Sequence, residues 1–315
     1  MKKPIVVSGI QPGGQLHLGN YLGALKHWVE IQNSGKYECF FFIADYHSIT
    51  ENYNPQDKKN QIFDFAVDYL AAGLDPKKVT IFVQSQVPEC AELTWIFNTL
   101  TPVSELERMT QFKDKAKRQL KNVNMGLFDY PVLQAADILL YRGELIPVGQ
   151  DQVQHIELTR DIARWFNNKY QPKFFPEAKA LITNTAKVMS LIDPTKKMSK
   201  SLGEKHYLAL SESKEQIIQK IKKAVTTNEG LANLHSIYEA FKTDMAGDFE
   251  VAKMGETKIM IAEGLYKHFE QFRKKKEELT KNSDFVYQVL TQGQKQAQKI
   301  ATQTMSEVKQ IIGLN

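Results

Sequence analysis

A chain of 315 residues, 42% hydrophobic and 24% charged, exceeds the length at which one hydrophobic core usually stops growing, so two domains are expected. No apolar run approaches the roughly 20 residues that cross a bilayer, and the N-terminal Ile5-Val6-Val7 breaks into Ser8-Gly9 too early for a signal-peptide core, so the expectation is a cytoplasmic protein with no membrane partner. The formal charge of +5 is spread along the chain and permits a nucleic-acid partner without arguing for one, while Cys39 and Cys90, outside any C-x-x-C pair, are expected as buried free thiols rather than a disulfide or metal site.

The first 203 residues alternate short apolar runs with amphipathic stretches. Residues 4–10, 38–44 and 79–83 read as strands, and their near-continuous apolar character suits parallel strands buried on both faces. Residues 18–32 and 56–72 read as helices, the second stopped by Gly73 with Pro76 beyond it. Strand, helix, strand, helix predicts a doubly wound α/β domain with a parallel sheet. Residues 88–170 read as a helical insertion, with helices over 89–100, 104–118, 132–141 and 152–167, ahead of a last strand over 186–192. All 11 prolines fall at or before Pro194. The C-terminal third carries helical stripes, one of Ile217, Ile218, Ile221 and Val225 and another of Ala297, Ile300, Ala301, Met305, Val308 and Ile312. The expected division is 1–203, an α/β catalytic domain, and 204–315, an all-helical one.

Two stretches carry chemistry. The first strand runs into Gln11-Pro12-Gly13-Gly14-Gln15-Leu16-His17-Leu18-Gly19-Asn20 before a helix begins. Glycines at that point of a Rossmann-type sheet let a ligand approach the backbone, and the helix N-terminus favours anions. Taken alone, the stretch reads equally as a structural tight turn. The second is Lys197-Met198-Ser199-Lys200-Ser201, which lacks apolar periodicity and reads as a mobile surface loop. Its ammoniums and hydroxyls are donors that suit a polyphosphate; taken alone, it reads more readily as a solvated linker.

The pairing of His17-Leu18-Gly19-Asn20 with the later Lys197-Met198-Ser199-Lys200-Ser201 resembles the two signature sequences of class I aminoacyl-tRNA synthetases. Glu105-Leu106-Glu107-Arg108-Met109-Thr110-Gln111-Phe112-Lys113, Ala135-Ala136-Asp137-Ile138-Leu139-Leu140-Tyr141, Gln154-His155-Ile156-Glu157-Leu158-Thr159-Arg160 and Met189-Ser190-Leu191, in that order, narrow the resemblance to the bacterial tryptophanyl-tRNA synthetases. It implies activation of L-tryptophan with ATP and Mg²⁺, transfer to tRNA(Trp), a homodimer, and a helical C-terminal region that reads the anticodon.

Carried over by position, the resemblance places Gln11, Pro12, Gly13, His17, Gly19 and Asn20 on ATP, with Gly149, Gln150 and Asp151 beside the nucleotide and the backbone of Val188 on the adenine. Lys197, Met198, Ser199, Lys200 and Ser201 would close over the leaving pyrophosphate, and Lys115, or else Lys113, would reach the phosphates from the insertion. Asp137 would accept the indole N–H, Tyr130 and Gln152 would meet the substrate amino group, and Gln134, Val7 and His47 would complete the pocket. Four positions depart from the commonest family pattern: Gln134 replaces a frequent methionine, Val7 an aromatic, Gln150 a glutamate and Tyr46 a glutamine. Gln134 keeps tyrosine as the second candidate amino acid, and a tRNA-independent adenylyl transferase of the same fold is the other alternative.

Overall fold

The computed structural model describes residues 3–113, 123–182 and 187–314, except the side chain of Ser201. Five strands, β1 (Ile5–Ile10), β2 (Glu38–Ile43), β3 (Thr80–Val83), β4 (Leu145–Val148) and β5 (Lys179–Ile182), form one parallel sheet in the order β3-β2-β1-β4-β5. Val6 pairs with Cys39 of β2 on one side and Leu145 of β4 on the other. The chain thus leaves β1 toward one edge and later returns on its opposite flank. The crevice beyond the ends of β1 and β4 is the switch point at which open α/β sheets bind ligands.

Strand residues alternate between two buried faces, which explains why the runs look apolar throughout. Val6, Phe41 and Ile43 join one core, where the Trp28 ring stacks on Phe41 at 4.5 Å. Ile5, Val7, Phe40 and Phe42 join the other, with Ile138 and Tyr141. The helices of the first half are α1 (Leu18–Asn20), continuing through a π-helical turn, Tyr21–Leu25, into α2 (Lys26–Ser34), then α3 (Asp45–Ser48), α4 (Pro55–Ala71), α5 (Glu89–Asn98), α6 (Val103–Glu107), α7 (Met125–Leu139) and α8 (Val153–Lys169).

Three expectations need correction. The predicted helical insertion contains a central strand, β4. Pro147 has no N–H to donate toward β1, so ladder pairing there is confined to Leu145, and Ser8 Oγ instead donates to the Pro147 carbonyl at 3.3 Å. Among the described residues the last strand is β5; of the expected 186–192, residue 186 lies outside them and the rest is not a strand. Val188 and Leu191 are buried, but as anchors of a loop that Asn233 clamps through the Met189 N–H and carbonyl at 2.8 and 3.0 Å. The helix expected over 104–118 breaks at Arg108 and Met109, resumes over 110–113, and beyond that lies outside the described residues.

The second half is α9 (Lys214–Lys223), α10 (Asn228–Ala240), α11 (Met254–His268), α12 (Glu270–Lys281) and α13 (Ser283–Ile312). Helix α9 stops before Val225, whose N–H goes to the Leu191 carbonyl at 2.9 Å. These helices share the Val6 and Phe41 core, to which Ile261, Leu265, Phe269 and Val286 contribute. Helix α13 lies against the sheet edge so closely that a Cβ on Gly293 would come within 1.8 Å of the Ile81 carbonyl oxygen. Only glycine fits that approach. Among the described residues no helix is long and apolar enough to cross a membrane.

Candidate active site

The switch point gathers residues from four segments. His17 caps α1: its ring Nδ1 accepts from the backbone N–H groups of Gly19 and Asn20 at 3.1 and 3.3 Å, and its backbone N–H donates to Asn20 Oδ1 at 3.3 Å. Such a reciprocal box satisfies donors that a helix start leaves open. A ring accepting at Nδ1 carries its proton on Nε2, so the cap requires neutral imidazole. Burial, reinforced by the charges of Lys200 and Lys197, holds the His17 pKa down at about 3. A Cβ on Gly19 would press on the His17 ring at 3.0 Å, which accounts for the glycine two residues on.

This depressed value has a measurable consequence. Between about 3 and the ordinary 6.5, the unfolded chain binds a proton at this side chain that the folded chain excludes. The contribution is therefore whole above 6.5 and is lost as pH falls toward about 3. At about pH 5 the loss is expected to be about 2 kcal/mol, at ~1.4 kcal/mol per unit. His17→Asn keeps a capping acceptor and should flatten the fall in urea midpoint between about pH 7 and pH 5. An undiminished slope in that variant would show that His17 is not its source.

The Lys/Ser segment is not the free surface loop its sequence suggests. The Met198 side chain is buried, its N–H donates to the Val188 carbonyl at 3.0 Å, and Lys197 bridges to Met189. Lys200 reaches back across the crevice to donate to the Gly13 carbonyl, and its ammonium lies 5.1 Å above the Phe65 ring. Gly14 has φ +55, in the left-handed region, and a Cβ there would crowd Lys200 at 3.0 Å. Burial lowers the Lys200 pKa to about 8, with Asp68 opposing and Lys276 assisting the fall. Lys197 Nζ lies 3.7 Å from Asp151 Oδ1, in the turn Gly149–Gln152 that succeeds β4. Burial alone would raise the Asp151 pKa, but Lys197, Gln152 and its own backbone together hold it below the usual range. A Cβ on Gly149 would meet Asp151 Oδ1 at 2.9 Å.

Deeper in, Asp137 on α7 is 2% exposed. His47 Nε2 meets its Oδ2 at 2.9 Å, and Gln84 Nε2 donates to both oxygens at 2.8 Å. Burial raises its pKa, while His47 and Gln84 favour the ionised form. In its ionised form this carboxylate offers about four acceptor positions, one more than these three contacts fill. The Gln84 amide is fixed in orientation, because its Oε1 accepts the Tyr46 N–H at 3.1 Å. Helix α3, which bears His47, and the turn bearing Gln84 are stitched by Asp45, whose carboxylate takes the Ser85 N–H at 2.9 Å and the Ser85 hydroxyl at 2.5 Å. Tyr130 sets its ring edge-on to His47 at 6.2 Å, and its hydroxyl meets His155 Nε2 at 3.0 Å.

Sequence reading placed His17, Gly13, Gly19, Asn20, Val188, Met198 and Lys200 in one group, and the structure brings them together around the β1 crevice. Gln152 donates to Asp151 Oδ2 at 3.3 Å. Gln134 is half-buried one helical turn before Asp137, on the same face. Val7 is fully buried in the sheet beneath, where it packs toward Gly143. Gln11 is half-buried, Pro12 buried and Gln150 exposed, and Ser199 offers its carbonyl to the Leu202 N–H at 3.4 Å. Lys115 lies outside the described residues, and Lys113 is exposed at their margin. Gln84 was missed: a lone glutamine ending a strand has no local signal, and its partner is 53 positions away.

A family model described as tRNA synthetases class I (W and Y) matches residues 1–307. The tryptophan–tRNA ligase of Wolinella succinogenes is 41% identical, with each chain covered over its full length. Among solved structures, the tryptophanyl-tRNA synthetase of Mycoplasma pneumoniae superposes with a TM-score of 0.89 at 33% identity, covering 100% of this chain and 99% of its own. That of Campylobacter jejuni, in complex with ADP and tryptophan, superposes at 0.83 with 32% identity, covering 98% and 99%.

Proposed function

The chain belongs to the class I tRNA synthetases for tryptophan and tyrosine, and we infer that it acts as a tryptophan–tRNA ligase. The observation that carries the choice of tryptophan is full-length identity of 41% with a ligase of that specificity. The buried Asp137, with one acceptor position to spare, supports it from the site: the indole N–H would fill that position.

ATP is the nucleotide, in keeping with a relative that binds ADP and tryptophan together. The residues fit a triphosphate. Backbone at Gly13 is open to approach, the α1 N-terminus is directly beside it, and Lys200 and Lys197 supply cations. Among the described residues no three His, Cys, Asp or Glu side chains converge as a metal site, and Mg²⁺ is proposed to arrive with the nucleotide, whose phosphate oxygens are its usual ligands.

In the first step a tryptophan carboxylate oxygen attacks the α-phosphorus. The bond from that phosphorus to the bridging oxygen breaks, and pyrophosphate departs with the electron pair. No protein nucleophile is required; positioning and stabilisation of charge on the phosphate oxygens do the work. His17 offers a neutral Nε2–H rather than a proton to transfer, and Lys200 supplies positive charge as the loop closes. In the second step the terminal adenosine of tRNA attacks the acyl carbon and AMP leaves. The helices beyond residue 203 are proposed to take the tRNA.

ATP–pyrophosphate exchange with tryptophan and, separately, tyrosine, then charging of total tRNA, tests this reading. Exchange should depend on tryptophan and stay at background with tyrosine, and tRNA should then accept tryptophan. Exchange driven by tyrosine would reverse the amino-acid assignment, and exchange without charging would make the protein an adenylyl transferase.

A further inference from the structure

Beneath Lys200 lies a buried carboxyl group that adenylate formation does not use. Asp68, on α4, is 0% exposed. Its Oδ1 accepts from Lys276 Nζ of α12 at 2.6 Å, while the equally buried Oδ2 has no donor. One turn earlier on the same helix, Phe65 holds the Lys200 ammonium over its ring at 5.1 Å. Burial raises the Asp68 pKa, and the charges of Lys276 and Lys200 oppose that rise, while Lys276 disfavours the charge on Lys200.

We propose that Asp68 is a positioning residue for Lys200: its carboxylate, tethered to α12 through Lys276, holds the ammonium at the Gly13 end of the phosphate-binding loop until nucleotide arrives. The proposal rests on the reading of Lys200 as the phosphate clamp. A buried carboxylate with one oxygen unpaired is costly, and a second cation in its field relieves part of that cost. Among the described residues Lys200 forms no ion pair with Asp68, its ammonium lying instead over the Phe65 ring, so an incoming phosphate can take Lys200 without first breaking a salt bridge. Lys276 competes for the same carboxylate. The docking of α12 on α4 therefore sets how tightly the loop is held.

The test is ATP–pyrophosphate exchange by the full chain carrying Asp68→Asn or Lys276→Met, each alone and combined with Lys200→Ala. Asp68→Asn keeps the shape and removes the charge; it should raise the KM for ATP about 5- to 10-fold and leave that for tryptophan unchanged. Lys276→Met leaves Lys200 as the remaining cation, and should lower the KM for ATP by about 2-fold. In the Lys200→Ala background both factors should shrink below about 2-fold. If Asp68→Asn fails to fold, the paired Asp68→Asn, Lys276→Met variant replaces the ion pair with neutral groups, which buried sites often tolerate, and should show the same rise. Equal factors with and without Lys200, or shifts of the same sign in both single variants, would make the pair purely structural and overturn the proposal. Unchanged exchange in Lys200→Ala alone would instead remove the clamp reading on which it stands.

Discussion

Lys200→Ala is expected to slow adenylate formation by roughly 10² to 10³, the usual cost of removing one preorganised donor to a developing oxyanion, while tryptophan affinity changes by less than about 3-fold. The reason is geometric. Lys200 contacts Gly13 and the Phe65 ring, on the phosphate side of the crevice, whereas Asp137 and its partners His47 and Gln84 form a separate cluster behind it. Charge acting on the phosphate side lowers the barrier without tightening the binding of tryptophan. Single-turnover formation of the adenylate, measured beside tryptophan binding by fluorescence, separates the two. Equal losses in both would show that Lys200 is not a transition-state element.

Asp137→Ala should lower the ratio of tryptophan to phenylalanine activation by about a hundredfold or more. With the carboxylate present, phenylalanine leaves an acceptor unpaired in a dry site; without it, neither substrate has that group to satisfy. The same change strips His47 and Gln84 of their acceptor, and orphaned buried donors cost about 1 to 3 kcal/mol each, so thermal stability should fall as well. Asp137→Asn keeps the volume but turns half of the acceptor into a donor facing the indole N–H, and should impair tryptophan more than phenylalanine. Exchange rates with both amino acids decide the matter, and an unchanged ratio would take Asp137 out of specificity.

The legible parts of the fold were those where one physical signal dominates. Residues 38–44 and 79–83 are apolar because both faces of the sheet are covered, and they became β2 and β3 with ends shifted by one residue. Strand β4 was hidden because it is four residues long, contains Pro147 and comes directly after a helical segment. Strand β5, Lys179–Ile182, is an edge strand with exposed or half-buried side chains, so it lacks the apolar run that drew attention to 186–192 instead. In the site, the nucleotide side was readable because its chemistry lies in two contiguous stretches. The amino-acid side depends on Asp137, His47 and Gln84, which come from three separate elements and meet only once the chain has folded, with Asp45 tying the His47 and Gln84 segments together through Ser85. The Asp68–Lys276 pair had no sequence signal at all. A charge amid an apolar helix face and a lysine in the basic run Arg273-Lys274-Lys275-Lys276 become partners only once α12 lies on α4.

Strand β3 ends the sheet on one side, and α13 covers it at van der Waals range, with Gly293 set against Ile81 and Gln296 accepting from the Thr80 hydroxyl at 3.0 Å. All five strands are synthesised well before the helix that shields their outer edge, and through that interval the edge offers unpaired backbone groups to any neighbouring nascent chain. Protection of the sheet is thus a late event in the life of each molecule.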